Sequence, residues 1–318
     1  MTRFGRMWVM TGLLLGLAMP AAPALAQEHA PAPAAQAGGG HEIDIQHHIG
    51  DSHEIEIPFV GVYELPRFAP IHVGGLVIDL SPTKHLVFML LSALIVALVF
   101  VLSARSIAGA QARGRPATGF AGAMEATTLW IRQEVILPTI GPHGDKFVPY
   151  LLTLFFFILA MNLFGLIPGG ATATGNITVT AALAIIAFIV IEVTGMRTLG
   201  PKGYLGTIFY LPHGLPGGPG GAVLKVVLLA VLTPIELIGK LAKPFALAVR
   251  LFANMTSGHV LVLALIGLTF LFQSYTVGLG ASVLATGVLL LELFVAFLQA
   301  YVFTLLTSVF IGLMREAH

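Results

Sequence analysis

From position 81 onward the chain is dominated by long apolar runs with short polar breaks. His85 to Ala104 is the first, long enough as a helix to cross about 30 Å of hydrocarbon. Phe147 to Ile167 predicts a second span and Thr180 to Met196 a third. Ala222 to Phe272 and Gly278 to Met314 are apolar for longer than one upright helix needs, with a polar turn at Gln273 to Thr276 between them. Together they predict a hairpin of two overlong helices. Their excess length is absorbed by strong tilt or by kinks, for which Pro234 and Pro244 offer positions. Between the first two spans, Gly119 to Ile136 is less apolar and carries Glu125, Trp130, Arg132 and Glu134. This pattern predicts a helix lying at the membrane interface or packed on a partner. Gly203 to Gly221 is rich in Gly and Pro and predicts a loop. The expected fold class is therefore all-α and polytopic, with about five membrane helices plus an interfacial helix and a tilted hairpin at the end.

The first 80 residues differ. Arg3 and Arg6 precede an apolar run from Met7 to Ala18, followed by Pro20, Pro23 and Ala24-Leu25-Ala26. This is the layout of a secretory signal peptide over residues 1–26, with an uncleaved anchor helix as the alternative. Gln27 to Gly40 is made mostly of Ala, Pro and Gly and is read as a flexible linker. Residues 27–80 then form an extracytoplasmic linker and lead-in, and residues 81–318 the membrane domain. Within the lead-in, His41, His47, His48 and His53 match no familiar metal-ligand spacing, so a solvated polar segment is expected rather than a metal site. Isoleucine alternation at Ile43, Ile45, Ile55 and Ile57 suggests strand-like or surface-lying structure.

Composition supports the membrane assignment. Charged residues are 10% of the 318 and apolar ones 57%, whereas soluble domains carry about 25% charged residues. A formal charge of +1 without a basic run argues against nucleic-acid binding. The absence of cysteine removes disulfides, thiolate metal sites and a cysteine nucleophile. Arg105, Arg113 and Arg115 follow the first span, and Arg197 and Lys202 follow the third. Basic loops stay cytoplasmic, so the amino terminus is expected outside and the carboxy terminus inside. No nucleotide loop, zinc helix or serine elbow is present, and HGLPGGPGG lacks the Lys and Ser/Thr of a phosphate-binding loop. No catalytic site, cofactor or metal is expected in this chain.

Ionisable residues nevertheless sit inside the apolar runs. Glu236, Lys240, Lys243, Arg250 and Asn254 fall within about 80° of one another on a helical projection. A single Arg or Lys at a bilayer centre costs about 2.5–3.5 kcal/mol on insertion scales, so the stripe must face protein or water. Glu236 and Lys240 can pair at i,i+4, and both lysines can snorkel. Arg250 has no acid within a turn, stays charged at any relevant pH, and needs an external anion or an acidic partner in transit. His259 lies on a different face, while Glu292 and Gln299 share a face of the last helix. A hairpin can bring Glu292 toward His259, either as a proton relay or as a buried ion pair that ties the hairpin. Asn162 is either a lone packing residue or part of the same polar system.

LAKPFALAVRLFANMTSGH followed by ELFVAFLQAYVFTLLTSVF, with MNLFGLIP at Met161 to Pro168, resembles the membrane-embedded a subunit of bacterial F-type ATP synthases. The resemblance covers about Ser81 to the end. It implies that Arg250 is the family's essential arginine, with Asn254 and Gln299 its asparagine and glutamine, and that Glu236 is the acid of an inner aqueous path. His259 stands where many members have Glu and Glu292 where they have His, so the pair keeps one acid and one imidazole. Ala253 replaces a more usual Gly. The resemblance further implies a non-catalytic, proton-translocating stator in a bacterial inner membrane, facing a rotating c-ring and held with b-type peripheral stalk subunits in the ATP synthase complex. Two half-channels would meet the ring, with Arg250 preventing a short circuit and Lys240, Lys243 and Asn162 as supporting polar groups. The rivals are a secondary transporter, which would show internal repeats and broken helices, and a structural scaffold, in which the stripe merely docks neighbours.

Overall fold

The computed structural model describes residues 52–57, 61–68, 71–73, 76–78, 81–142, 144–167, 170–209 and 219–316. The expected signal peptide, the linker, and His41, Ile43, Ile45, His47 and His48 lie outside them. Two small antiparallel hairpins form in the lead-in. Strand β1 (Glu54–Ile57) pairs with β2 (Gly61–Glu64), placing Ile55 opposite Tyr63, and β3 (Ile71–Val73) pairs with β4 (Leu76–Ile78). The Ile55 and Ile57 alternation is thus strand. The first hairpin is tied to the membrane region, since Lys84 N–H donates to Ser52 O at 3.0 Å and His53 Nδ1 lies 3.0 Å from Pro82 O.

Helix α1 spans Lys84–Ala112, with Thr83 as its N-cap accepting from Leu86 N–H. It outlasts its apolar run because Arg105 to Ala112 holds good helix formers. Helix α2 (Gly119–Trp130) continues through a π-helical turn at Ile131–Ile136 into the short α3 (Leu137–Ile140). Half of Gly119–Trp130 is exposed, whereas Ile131, Val135 and Ile136 of the expected interfacial segment, and Ile140 after it, are fully buried in this chain's own core. Arg315 fixes α3 by donating to Ile140 O at 3.0 Å and Pro142 O at 2.6 Å, and the Thr139 and Ser308 hydroxyls bond each other.

A 3-10 turn (Gly144–Phe147) leads into α4 (Val148–Gly165). Helix α5 (Ile177–Ile208) starts at an Asn176 cap and breaks at Gly200, whose φ of 72° only glycine adopts freely, just before Pro201. It therefore extends beyond the expected third span and occupies part of the expected loop. Helix α6 (Pro219–Phe272) takes in Pro219 to Gly221 as well, while residues 210–218 lie outside the description. It runs as one helix through Pro234 and Pro244. A turn at Gln273, with φ of 46°, connects it to α7 (Tyr275–Glu316), so Tyr275 and Thr276 belong to the helix and not to the turn.

Among the described residues, the segments around α1, α4, α5, α6 and α7 are the five stretches long and apolar enough to cross a membrane. Leu151, Phe155, Ile158 and Met161 put α4 at the centre of the core. Around it pack Ala187 and Ile191 of α5, Leu247 and Leu251 of α6, and Phe303 and Ile311 of α7. Leu94, Leu98, Ile185, Ile189 and Leu290 point outward. Such extensive exposed apolar surface belongs to a chain whose solvent is lipid.

Candidate functional site

Helices α6 and α7 run antiparallel, and their contacts carry most of the polar chemistry. Leu247, Ala248 and Leu251 bury one face of α6. Arg250 projects from the other and is exposed. Among the described residues it has no ion pair or hydrogen bond. It borders an open cleft of about 280 Å³ whose wall includes Lys243, Leu247, Leu306 and Phe310.

The charged stripe does not stay on one face. Lys240 is buried and does not bond Glu236. Its Nζ lies 3.4 Å from Glu192 Oε2 of α5 and 3.2 Å from Thr207 Oγ1. The expected i,i+4 pair is therefore replaced by a cross-helix one, because Lys240 turns into the α5–α6 seam where burial strengthens its attraction to an acid. Lys243 sits 5.0 Å from the Phe310 ring centroid. Glu236, half-buried, lies one turn from Lys240 on the side away from Arg250.

Toward the other end of α6, His259 meets α7 and the loop before α5. Its Nδ1 is 3.4 Å from Glu292 Oε1, and its Nε2 is 2.5 Å from Thr172 Oγ1. Glu292 is 4% exposed and neither of its oxygens has a protein hydrogen-bond partner. A fixed structural ion pair normally satisfies those oxygens. A carboxyl that exchanges protons need not. Two glycines make this geometry possible. A Cβ at Gly258 would overlap the Glu292 carboxyl, and one at Gly165 would overlap Thr172 and the His259 ring.

One turn from Arg250, Asn254 Nδ2 donates to Gln299 Oε1 at 2.9 Å. Asn162 stands apart from this system. It is fully buried, donates to Ala296 O at 3.1 Å and accepts from Thr174 Oγ1 at 2.7 Å. These bonds give it a packing role, joining α4, α7 and the loop. Asn162→Leu leaves the buried Thr174 hydroxyl without its acceptor, at about 1–3 kcal/mol. The expected outcome is less assembled protein in membranes by immunoblot, with unchanged proton flux per assembled complex.

The sequence reading missed Glu192, Tyr204, Thr172 and the two glycines. Glu192 had a signal, being an acid within an apolar span.

Residues 86–312 match the family model described as ATP synthase A chain. The chain belongs to that family. It is 43% identical over 294 residues to an ATP synthase subunit a of Chlorobium phaeobacteroides strain BS1, covering 92% of this chain and 81% of that one. It is 43% identical over 310 residues to an ATP synthase subunit a 2 of Prosthecochloris aestuarii, covering 95% and 90%. As a member of the ATP synthase A-chain family it is a multi-pass, proton-translocating subunit of the membrane sector, working with the rest of the complex.

Proposed function

We propose that this subunit carries protons through two aqueous half-channels that meet, at Arg250, the membrane carboxylates of a rotating c-ring. The exposed, unpaired Arg250 on α6 is the observation that carries this proposal. Its guanidinium stabilises a ring carboxylate in the ionised form. A carboxylate must be neutral to enter lipid, because desolvating its charge is costly. A proton taken up on one side of Arg250 therefore travels around with the ring before it leaves on the other side. The fixed charge of Arg250 also repels protons that would cross directly.

The outer path runs by His259, Glu292, Asn254 and Gln299. The inner path runs by Glu236, with Lys240 and Lys243 as supporting groups. His259 is nine residues from Arg250, about 14 Å along the helix, and Glu236 is fourteen residues away in the opposite direction, about 21 Å. The two paths thus reach the arginine from opposite ends. The membrane is the bacterial inner membrane, with the amino terminus outside, the carboxy terminus inside and residues 1–26 serving as a signal peptide. The length of α6 and α7 suits a steep tilt along a round rotor, and b-type stalk subunits hold the stator.

The chain has no cysteine, so introduced thiols report access without background from it. A membrane-impermeant thiol reagent is expected to label His259→Cys only in right-side-out vesicles and Glu236→Cys only in inverted ones, each in the assembled complex. Labelling of both from the same side would overturn the two-path arrangement.

A further inference from the structure

Resting on the half-channel arrangement above, we infer that Glu192 of α5 is a proton-carrying residue of the inner path, with Lys240 as its fixed counter-ion and Tyr204 as its hydrogen-bonding partner. Helix α6 carries one member of each of two cross-helix acid–base pairs on either side of Arg250, one made with α7 and one with α5. His259 pairs with Glu292 about 14 Å to one side, and Lys240 pairs with Glu192 about 15 Å to the other, by helical rise. Arg250 is thus nearly midway between two titratable acids. Only the first pair belongs to the path that His259 and Glu292 define.

The Glu192 site is built for a charged carboxyl. The Tyr204 hydroxyl donates to Glu192 Oε2, and the same oxygen faces the Lys240 ammonium at 3.4 Å. That ammonium also lies 4.5 Å from the Tyr204 ring centroid and donates to Thr207. The Lys240 side chain is 3% exposed and that of Glu192 12%, so the carboxyl is the more open of the two. Both line a cleft of about 30 Å³ whose walls also include Ile191, Lys243, Leu247 and Phe310. A water needs about 10–15 Å³. Lys243, Leu247 and Phe310 also wall the cleft that Arg250 borders. The two clefts therefore adjoin along these three residues, and the proposed proton route runs across them. Near the pair, α5 breaks at Gly200 between Arg197 and Lys202, the basic segment assigned to the inside.

In the step proposed, a ring carboxyl beside Arg250 loses its proton to water in the cleft that Arg250 borders. Glu192 accepts that proton and returns it to water on the inner side. Lys240 stays beside it as the counter-ion, 3.4 Å from Glu192 Oε2.

The test uses the assembled complex in inverted vesicles, with proton flux normalised to the amount of assembled subunit. The paired neutral variant Glu192→Gln/Lys240→Gln removes both charges and preserves hydrogen-bonding shape. The inference expects near-native assembly and ATP-driven pumping reduced about tenfold or more, with Glu192→Asp retaining most of the flux. Normal pumping by an assembled paired variant would overturn the inference and leave the pair as a strap between α5 and α6. Where the paired variant fails to assemble, Tyr204→Phe decides. Slower flux at native assembly supports the inference, and unchanged flux overturns it. Arg250→Ala in the same vesicle series separates the two levels. If it still pumps, the half-channel reading fails as a whole. If it is inactive while the Glu192 variants pump normally, only the role of Glu192 fails.

Discussion

Arg250→Ala abolishes ATP synthesis driven by an imposed proton gradient, with a loss of about a hundredfold or more per assembled complex. The expectation follows from where the side chain sits. It is an exposed cation on α6 that, among the described residues, makes no ion pair or hydrogen bond. A charge pair about 4 Å apart near a protein surface interacts by about 4 kcal/mol. Each 1.4 kcal/mol is tenfold in an equilibrium, so even half of that energy shifts the ionisation of a facing carboxyl more than tenfold. Without it the ring carboxyl has no reason to release its proton at the stator, and rotation is no longer tied to proton passage. Arg250→Lys keeps the charge but loses the planar fork and is more strongly hydrated. Its synthesis rate is expected between alanine and native. ATP yield per complex after an acid-to-base jump in reconstituted vesicles measures both. Alanine and lysine variants that synthesise ATP normally would remove Arg250 from the coupling step.

Glu292→Gln is expected to slow ATP-driven pumping by about tenfold without abolishing it. Glu292 is buried, faces His259 at 3.4 Å, and carries two oxygens without a protein hydrogen-bond partner. Glutamine keeps the shape and loses only the exchangeable charge. Water and His259 can still pass protons more slowly, which is why the effect is smaller than for Arg250. The exchange His259→Glu/Glu292→His restores one acid and one imidazole, and pumping is expected within a few-fold of native. Equal and complete inactivation by Glu292→Gln and Arg250→Ala would make Glu292 more than a relay.

The helices were legible in the sequence because hydrocarbon imposes length and apolarity directly. All five long spans were located this way. Their ends were not, since helix formers such as those of Arg105 to Ala112 carry α1 beyond the apolar run, and Gly203 to Ile208 stays helical despite two glycines. The buried half of the Gly119 to Ile136 segment was hidden because core packing against α7 depends on distant residues such as Ser308 and Arg315. The candidate site was legible where a charge had no local explanation, which singled out Arg250, His259 and Glu292. The Glu236–Lys240 pairing failed because spacing along one helix says nothing about an acid on another. Glu192 supplies that acid from 48 positions away. Gly165 and Gly258 become informative only once the atoms that a Cβ would strike are known.

The measurement that tests the central claim most directly is proton flux across vesicles holding the assembled complex, with native Arg250 and with Arg250→Ala, driven by ATP or by an imposed potential. The account predicts that the variant loses ATP-driven pumping and shows a passive proton leak absent from the native complex. Unchanged ATP-driven pumping, without a leak, would contradict a stator whose arginine separates two half-channels.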